Sequence, residues 1–153
     1  MNFKPLTNFI SRYDKFIICS HESPDGDAIG SEFAFLQALK KMGKKVYVIN
    51  NDPTPFNFQF VDKKNEITCF ESDKKLPKKL SDFGLFILDT NDTHNIGVIS
   101  TCILPKVKEY FIIDHHERFK DDKQSAGFVS DKDASSTSEI LYKFFKKQKI
   151  EID

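Results

Sequence analysis

Three short segments of this 153-residue chain gather the residue types that hold metals. They are His21-Glu22-Ser23-Pro24-Asp25-Gly26-Asp27, Asp89-Thr90-Asn91-Asp92 and Asp114-His115-His116. Each follows an apolar run: Phe16-Ile17-Ile18-Cys19, Leu85-Phe86-Ile87-Leu88 and Tyr110-Phe111-Ile112-Ile113. Runs of that length read as buried strands. Ligands of an open parallel sheet bind just past the carboxyl ends of its strands. Three strands ending in Asp and His therefore aim carboxylates and imidazoles at one place. Imidazole and carboxylate without thiol favour Mn²⁺ or Mg²⁺ over a structural zinc site.

Each cluster also has a plainer reading. Asp27 stands at the start of a helical pattern, where an N-cap is its ordinary role. That role leaves His21 and Asp25 unexplained, and Gly26 permits a tight backbone between the two carboxylates. Asp89 either begins an exposed turn with Asn91 and Asp92 or is a carboxylate that needs a partner beside the apolar run. His115 and His116, on extended backbone, would point to opposite sides. One would then ligate metal while the other faces substrate, and Asp114 could orient an imidazole by taking its other N–H. These carboxylates and imidazoles exceed the needs of one ion. A pair of ions ~3.5–4 Å apart, sharing one carboxylate, would use them, activate water near neutral pH and clamp a phosphoryl group.

The elements that must position these residues alternate in type. Lys15 to Ser20 is the first expected strand. Asp27 to Met42 is helical, with Ile29, Phe33 and Leu36 on one face and Gly43 placed to stop it. Lys45 to Asn50 is the second strand. Pro53 and Pro55 interrupt the stretch from Asn51 to Glu71, with a further short strand over Ile67 to Phe70. The charged residues from Asp73 to Lys79 form a solvated turn. Phe83 to Asp89 and Glu109 to Asp114 are the next strands, followed by a short one over Gly127 to Ser130. Ser136 and Glu139 form a capping-box pattern before Ile140, Leu141, Phe144 and Phe145, and Lys146, Lys147 and Lys149 suit the negative end of that last helix. The alternation predicts an α/β fold, a doubly wound, mostly parallel sheet with helices on both faces.

Bulk properties narrow the classes. Lys plus Arg and Asp plus Glu both number 23, so no whole-surface attraction to nucleic acid or membrane is expected. Arg12 and Arg118 are the only arginines, which makes planar, bidentate phosphate recognition scarce. Cys19, Cys69 and Cys102 are odd in number and lack a CxxC pair, which fits a reduced, cytoplasmic setting. No run approaches the ~20 apolar residues of a membrane span. A plain dinucleotide-binding domain is disfavoured, because Asp25-Gly26-Asp27 replaces the Gly-rich fingerprint and would repel a pyrophosphate unless a cation intervened.

Together the segments resemble the DHH phosphoesterase family, whose eponymous motif is Asp114-His115-His116. The stretch His21 to Ser31 is similar to its first motif and Asp89-Thr90 to its second. Ala134-Ser135-Ser136-Thr137-Ser138-Glu139-Ile140 resembles the NrnA-like branch of nano-RNases and pAp phosphatases. The resemblance spans His21 to about Tyr142 and implies a Rossmann-like domain with two Mn²⁺ ions, Mg²⁺ being an alternative. It implies that His21 and Asp25 hold one ion, Asp27 and His115 the other, and that Asp89 bridges them. His116 would contact the scissile phosphate or assist the leaving group, and Asp114 would support the histidines. Ser135, Ser136 and Thr137 would contact substrate, or else cap the helix.

The resemblance also implies a further metal-binding Asp in a strand after that helix and a second, DHH-associated substrate domain. Asp153 comes too early for the former, so residues 1–153 read as a DHH domain incomplete at its C-terminus and without the second domain. Asn95 and Phe119 depart from Arg and Asn, which relatives often carry. The implied activity is hydrolysis of phosphate esters in short RNA or DNA oligonucleotides or pAp-like small nucleotides, by metal-activated hydroxide, with no membrane partner. A homodimer is an open option. The alternatives are a pyrophosphatase or cyclic-dinucleotide phosphodiesterase of the same superfamily, and a non-catalytic fragment that binds a metal or a partner.

Overall fold

A computed structural model describes residues 1–71, 76–116 and 124–151. Residues 73–75 of the charged turn, Phe119 and Asp153 lie outside the described residues. Six strands form one sheet: β1 Lys15–Cys19, β2 Lys45–Asn50, β3 Ile67–Cys69, β4 Gly84–Leu88, β5 Tyr110–Asp114 and β6 Ser125–Ser130. The spatial order is β3-β2-β1-β4-β5-β6, and every adjacent pair is parallel. The order reverses between β1 and β4. In such sheets that crevice, beyond the strand carboxyl ends, is where ligands bind. His21 follows β1 and Asp89 follows β4, so the first two clusters flank the reversal.

Four helices accompany the strands: α1 Lys4–Arg12, α2 Gly26–Lys41, α3 Ile99–Cys102 and α4 Thr137–Gln148. One face of the sheet presents Phe16, Ile18, Phe86, Leu88, Phe111 and Ile113 to the apolar faces of α1, α2 and α4. The other presents Ile17, Cys19, Leu85, Ile87 and Ile112 to α3 and short 3₁₀ turns through Ile96, Ile99 and Ile103. Both faces are covered, as the continuous apolar runs require. The cover is unequal, since α3 has only four residues.

The helix α1 was not among the expected elements, although Phe3, Leu6, Phe9 and Ile10 stand at helical spacing. It buries Leu6, Phe9 and Ile10, and the Phe9 ring lies 5.1 Å from Phe86 and 5.4 Å from Phe111. Its first turn has no side-chain cap and no acidic residue, so packing rather than end chemistry holds it. Gly43, with φ +78°, closes α2 as expected. Gly26 serves a different need from the expected one. It begins α2, and a β-carbon there would stand 3.2 Å from the Phe58 ring. A close neighbour, rather than an unusual backbone angle, excludes a larger side chain.

Candidate metal centre

The three clusters meet in a cleft of about 760 Å³ over the carboxyl ends of β1, β4 and β5. His21, Asp25, Asp27, Asp89, His115 and His116 all line it, together with Glu22, Thr90, Asn91, Asn95, Ser135 and Ser136. No lysine or arginine appears among the described residues lining the cleft.

Asp89 occupies the middle. It is 4% exposed and adopts φ +59°, a left-handed conformation that Asp tolerates better than most residues. Its N–H donates to the Ile113 carbonyl at 3.0 Å, so the turn away from β4 begins while its backbone is still tied to β5. Its two oxygens face opposite histidines. Oδ2 lies 3.6 Å from His21 Nε2 and Oδ1 lies 3.6 Å from His115 Nε2. Burial raises the Asp89 pKa, the negative charge of Asp27 adds to this, and hydrogen bonding to His21 and Thr137 works against it. The plainer role of an exposed turn residue does not describe it.

The His21 ring is fixed from both sides. Nδ1 donates to the Glu22 carbonyl at 2.7 Å, which directs Nε2 to Asp89. Hydrogen bonding to Asp89 raises the His21 pKa to about 9 against the opposing effect of burial, helped by the Glu22 carbonyl and the charges of Asp89 and Asp25. Without a metal this imidazole is therefore a cation near neutral pH.

The N-cap role expected of Asp27 belongs to Asp25. Asp25, not Asp27, caps α2: its Oδ1 accepts from the N–H groups of Asp27 and Ala28 at 3.0 and 3.1 Å. Asp27 is one residue inside the helix and turns its carboxylate onto the N-terminus of α4. Oδ2 accepts from Thr137 N at 2.7 Å, and Oδ1 accepts from Ser138 N at 2.9 Å and Ser138 Oγ at 2.6 Å. Burial would raise the Asp27 pKa, yet these bonds from Ser138 and Thr137 prevail and hold it below the ordinary carboxylate range. Oδ2 remains 3.9 Å from His115 Nε2.

His115 and His116 do not point to opposite sides. β5 ends at Asp114 and the chain bends at the next two residues, so strand alternation no longer applies. The two rings lie 4.2 Å apart, both on the cleft. Asp114, 1% exposed, accepts from His116 Nδ1 at 2.7 Å and so orients that ring alone.

Ligand atoms of His21, Asp25 and Asp89 lie within 4.8 Å of one another, and so do those of Asp89, His115 and His116. Asp89 belongs to both groups. The donor set is imidazole and carboxylate, and the buried Asp89 oxygens sit beside another carboxylate, so a divalent cation of the Mn²⁺ or Mg²⁺ type fits the residues present.

Of the Ser135-Ser136-Thr137 segment, Ser135 and Ser136 reach the cleft. Thr137 is fully buried and donates its hydroxyl to Asp89 Oδ1 at 2.9 Å, which removes it from the expected substrate surface. Ser136 caps α4 by accepting from Glu139 N at 3.1 Å. The Glu139 carboxylate does not complete the expected box on Ser136; it accepts from Ser135 N and Oγ, both at 2.8 Å. His94 stays outside, 87% exposed and 2.7 Å from Asp92.

Several supporting residues carried no local signal. Ser138 grips Asp27 from 111 positions away. Ser31, which donates to Asp27 Oδ1 at 3.3 Å, was legible as the i+4 neighbour on the same helix. Beneath His21, Asn50 accepts from Ser20 N at 3.1 Å and donates to the fully buried Glu32 at 2.9 Å. Asn50 ends an apolar strand just as Asp89 follows one, so the same pattern could have found it.

Among the described residues no helix is long and apolar enough to cross a membrane. A probable manganese-dependent inorganic pyrophosphatase from Streptococcus thermophilus (strain CNRZ 1066) is 22% identical over 144 residues, which are 90% of this chain and 43% of that protein. Another protein of that description, from Lactobacillus helveticus (strain DPC 4571), is 25% identical over 143 residues, again covering 43% of its length. The crystal structure of an exopolyphosphatase-related protein from Bacteroides fragilis matches with a TM-score of 0.81 at 26% identity, covering 95% of this chain and 43% of that one. The chain thus spans less than half the length of these relatives. The model of the DHH family N-terminal domain matches residues 15–153, and with the three clusters converging on one cleft the chain belongs to the DHH family.

Proposed function

We propose that this domain is a manganese-dependent phosphoesterase acting on short oligonucleotides or pAp-like nucleotides. The observation that carries the reading is Asp89, a nearly buried carboxylate whose two oxygens face His21 and His115 at equal distances. A carboxylate so placed suits a bridge between two ions, with His21 and Asp25 on one side and Asp27 and His115 on the other. The relatives named as manganese-dependent support the choice of metal. Two bound ions would supply Lewis acidity and an activated water.

The chain's own residues would do the remainder. Asp114 holds His116 by Nδ1, which frees Nε2 to donate a proton to a departing oxygen or to hold a phosphate oxygen. Ser135, Ser136, Asn91 and Asn95 bring neutral polar groups to the rim. Pyrophosphatase activity is the second reading, favoured by the names of the relatives. The three free cysteines agree with a cytoplasmic location.

The test is Mn²⁺-dependent cleavage of a short 5′-labelled RNA by this chain, with pyrophosphate hydrolysis measured in parallel and Asp89→Asn as control. RNA turnover lost in the control supports the proposal. Phosphate release from pyrophosphate alone moves the assignment to the second reading. Undiminished turnover by Asp89→Asn removes the bridging role.

A further inference from the structure

We infer that Thr137 is the positioning residue of the metal centre, one side chain and one amide that fix the two carboxylate oxygens converging on His115. The inference rests on the proposed metal centre and adds a residue to it. Asp27 Oδ2 and Asp89 Oδ1 lie 3.9 and 3.6 Å from His115 Nε2. Thr137 donates to both: its N–H to Asp27 Oδ2 at 2.7 Å and its hydroxyl to Asp89 Oδ1 at 2.9 Å. The two carboxylates come from different elements, α2 and the turn after β4, so neither can orient the other through local backbone. The charge of Asp27 disfavours that of Asp89, and donors to both offset this.

The helix end makes this economical. The first N–H groups of a helix have no partner within it. Ser136 satisfies that of Glu139, and Asp27 satisfies those of Thr137 and Ser138. The positive end of α4 therefore rests against a carboxylate of the centre. Thr137 is fully buried and β-branched, so its χ1 is restricted, and its hydroxyl is held on Asp89 Oδ1. A carboxylate oxygen has two lone-pair directions. With Thr137 on one of them, Asp89 Oδ1 keeps the other for a cation near His115. Ser138 and Ser31 give Asp27 Oδ1 further donors, so that oxygen is already filled and Oδ2 is the one turned to the centre.

The test measures Mn²⁺ binding by calorimetry, and the Mn²⁺ paramagnetic resonance spectrum, for the wild-type chain, Thr137→Val and Thr137→Ser. Valine keeps the shape and the amide and removes only the hydroxyl. Loss of such an outer partner typically weakens metal binding about 10–100-fold. Thr137→Val is expected to lose affinity by about that factor, with a changed spectrum, and Thr137→Ser to recover the wild-type values. If valine prevents folding, Thr137→Ala carries the same comparison with serine. The rise in melting temperature on adding Mn²⁺ should also shrink in the hydroxyl-free variant. Wild-type Mn²⁺ affinity in Thr137→Val, or equal loss of melting temperature with and without Mn²⁺, overturns the positioning role. A wild-type chain that binds no Mn²⁺ overturns the metal centre itself.

Discussion

Glu32 is buried in α2 beneath the cleft, where a carboxylate has little to gain from charge. Asn50 Nδ2 donates to its Oε2 at 2.9 Å, while Oε1 has no hydrogen-bond partner. Burial raises its pKa from 4.5 to about 7, against the effect of Asn50. The unfolded chain would release this proton near 4.5 and the folded chain near 7. Between those values the folded state binds more protons, so stability falls as pH rises. The cost is absent below 4.5 and fully present above 7. A gap of about 2.5 pH units, at about 1.4 kcal/mol each, amounts to about 3 kcal/mol. Glu32→Gln retains an oxygen for Asn50 and never ionises. Its fixed structural cost shifts the difference from wild type without changing the slope. Urea unfolding of both proteins across this range should show that difference moving in favour of Gln by about 3 kcal/mol and levelling above pH 7. His21 contributes stability that is present below its unfolded pKa of 6.5 and lost through about 9. It does so in both proteins, and only the part that arises from its interaction with Glu32 enters the difference. A difference that stays flat, or that favours Glu as pH rises, refutes the argument.

Asp89→Asn should abolish Mn²⁺ binding and turnover while circular dichroism shows the fold retained, because Asn also tolerates the left-handed φ of +59°, although loss of the His21 partner lowers the melting temperature. A collapsed fold in that variant would mean the carboxylate is structural. Because metal must displace a proton from His21, whose pKa is about 9, apparent Mn²⁺ affinity should rise with pH up to that value. Calorimetry in buffers of different ionisation enthalpy checks this, and pH-independent affinity without proton release contradicts it. Phe9→Ala should destabilise by about 3–5 kcal/mol, since the ring is fully buried against Phe16, Phe86 and Phe111. A loss under about 1 kcal/mol in urea unfolding would show that α1 contributes little to the core.

The central strands β1, β4 and β5 were legible because each bears a continuous apolar run of the kind a doubly covered parallel sheet requires. Ile17 and Ile18, or Ile112 and Ile113, have no polar neighbour to mark an exposed face, and they divide between the two cores. The helix α1 was legible too, although no element was expected there: Leu6, Phe9 and Ile10 stand at the i, i+3, i+4 spacing of one helical face, behind Pro5 at the helix start. The bend after Asp114 was not legible. A period-2 rule holds while the backbone is a strand, and β5 stops just before the two histidines.

The carboxylates show where reading by proximity reaches its end. Asp25 and Asp27 stand two residues apart at one helix start, and local logic assigns the cap to the residue nearest the helical pattern. The fold makes Asp25 the cap and frees Asp27 for the end of α4. That choice depends on where α4 arrives, a matter of chain crossover and not of local propensity. The same arrival carries Thr137 under Asp89 and away from the cleft surface. A Ser-Ser-Thr segment beside a candidate metal centre invites a substrate role for every hydroxyl, yet here depth sorts them. Ser135 and Ser136 face the opening, and Thr137 and Ser138 face the carboxylates. The identity of the chemical groups could be read along the chain, but which of them face the cleft and which hold others in place follows from the packing of α4 against α2.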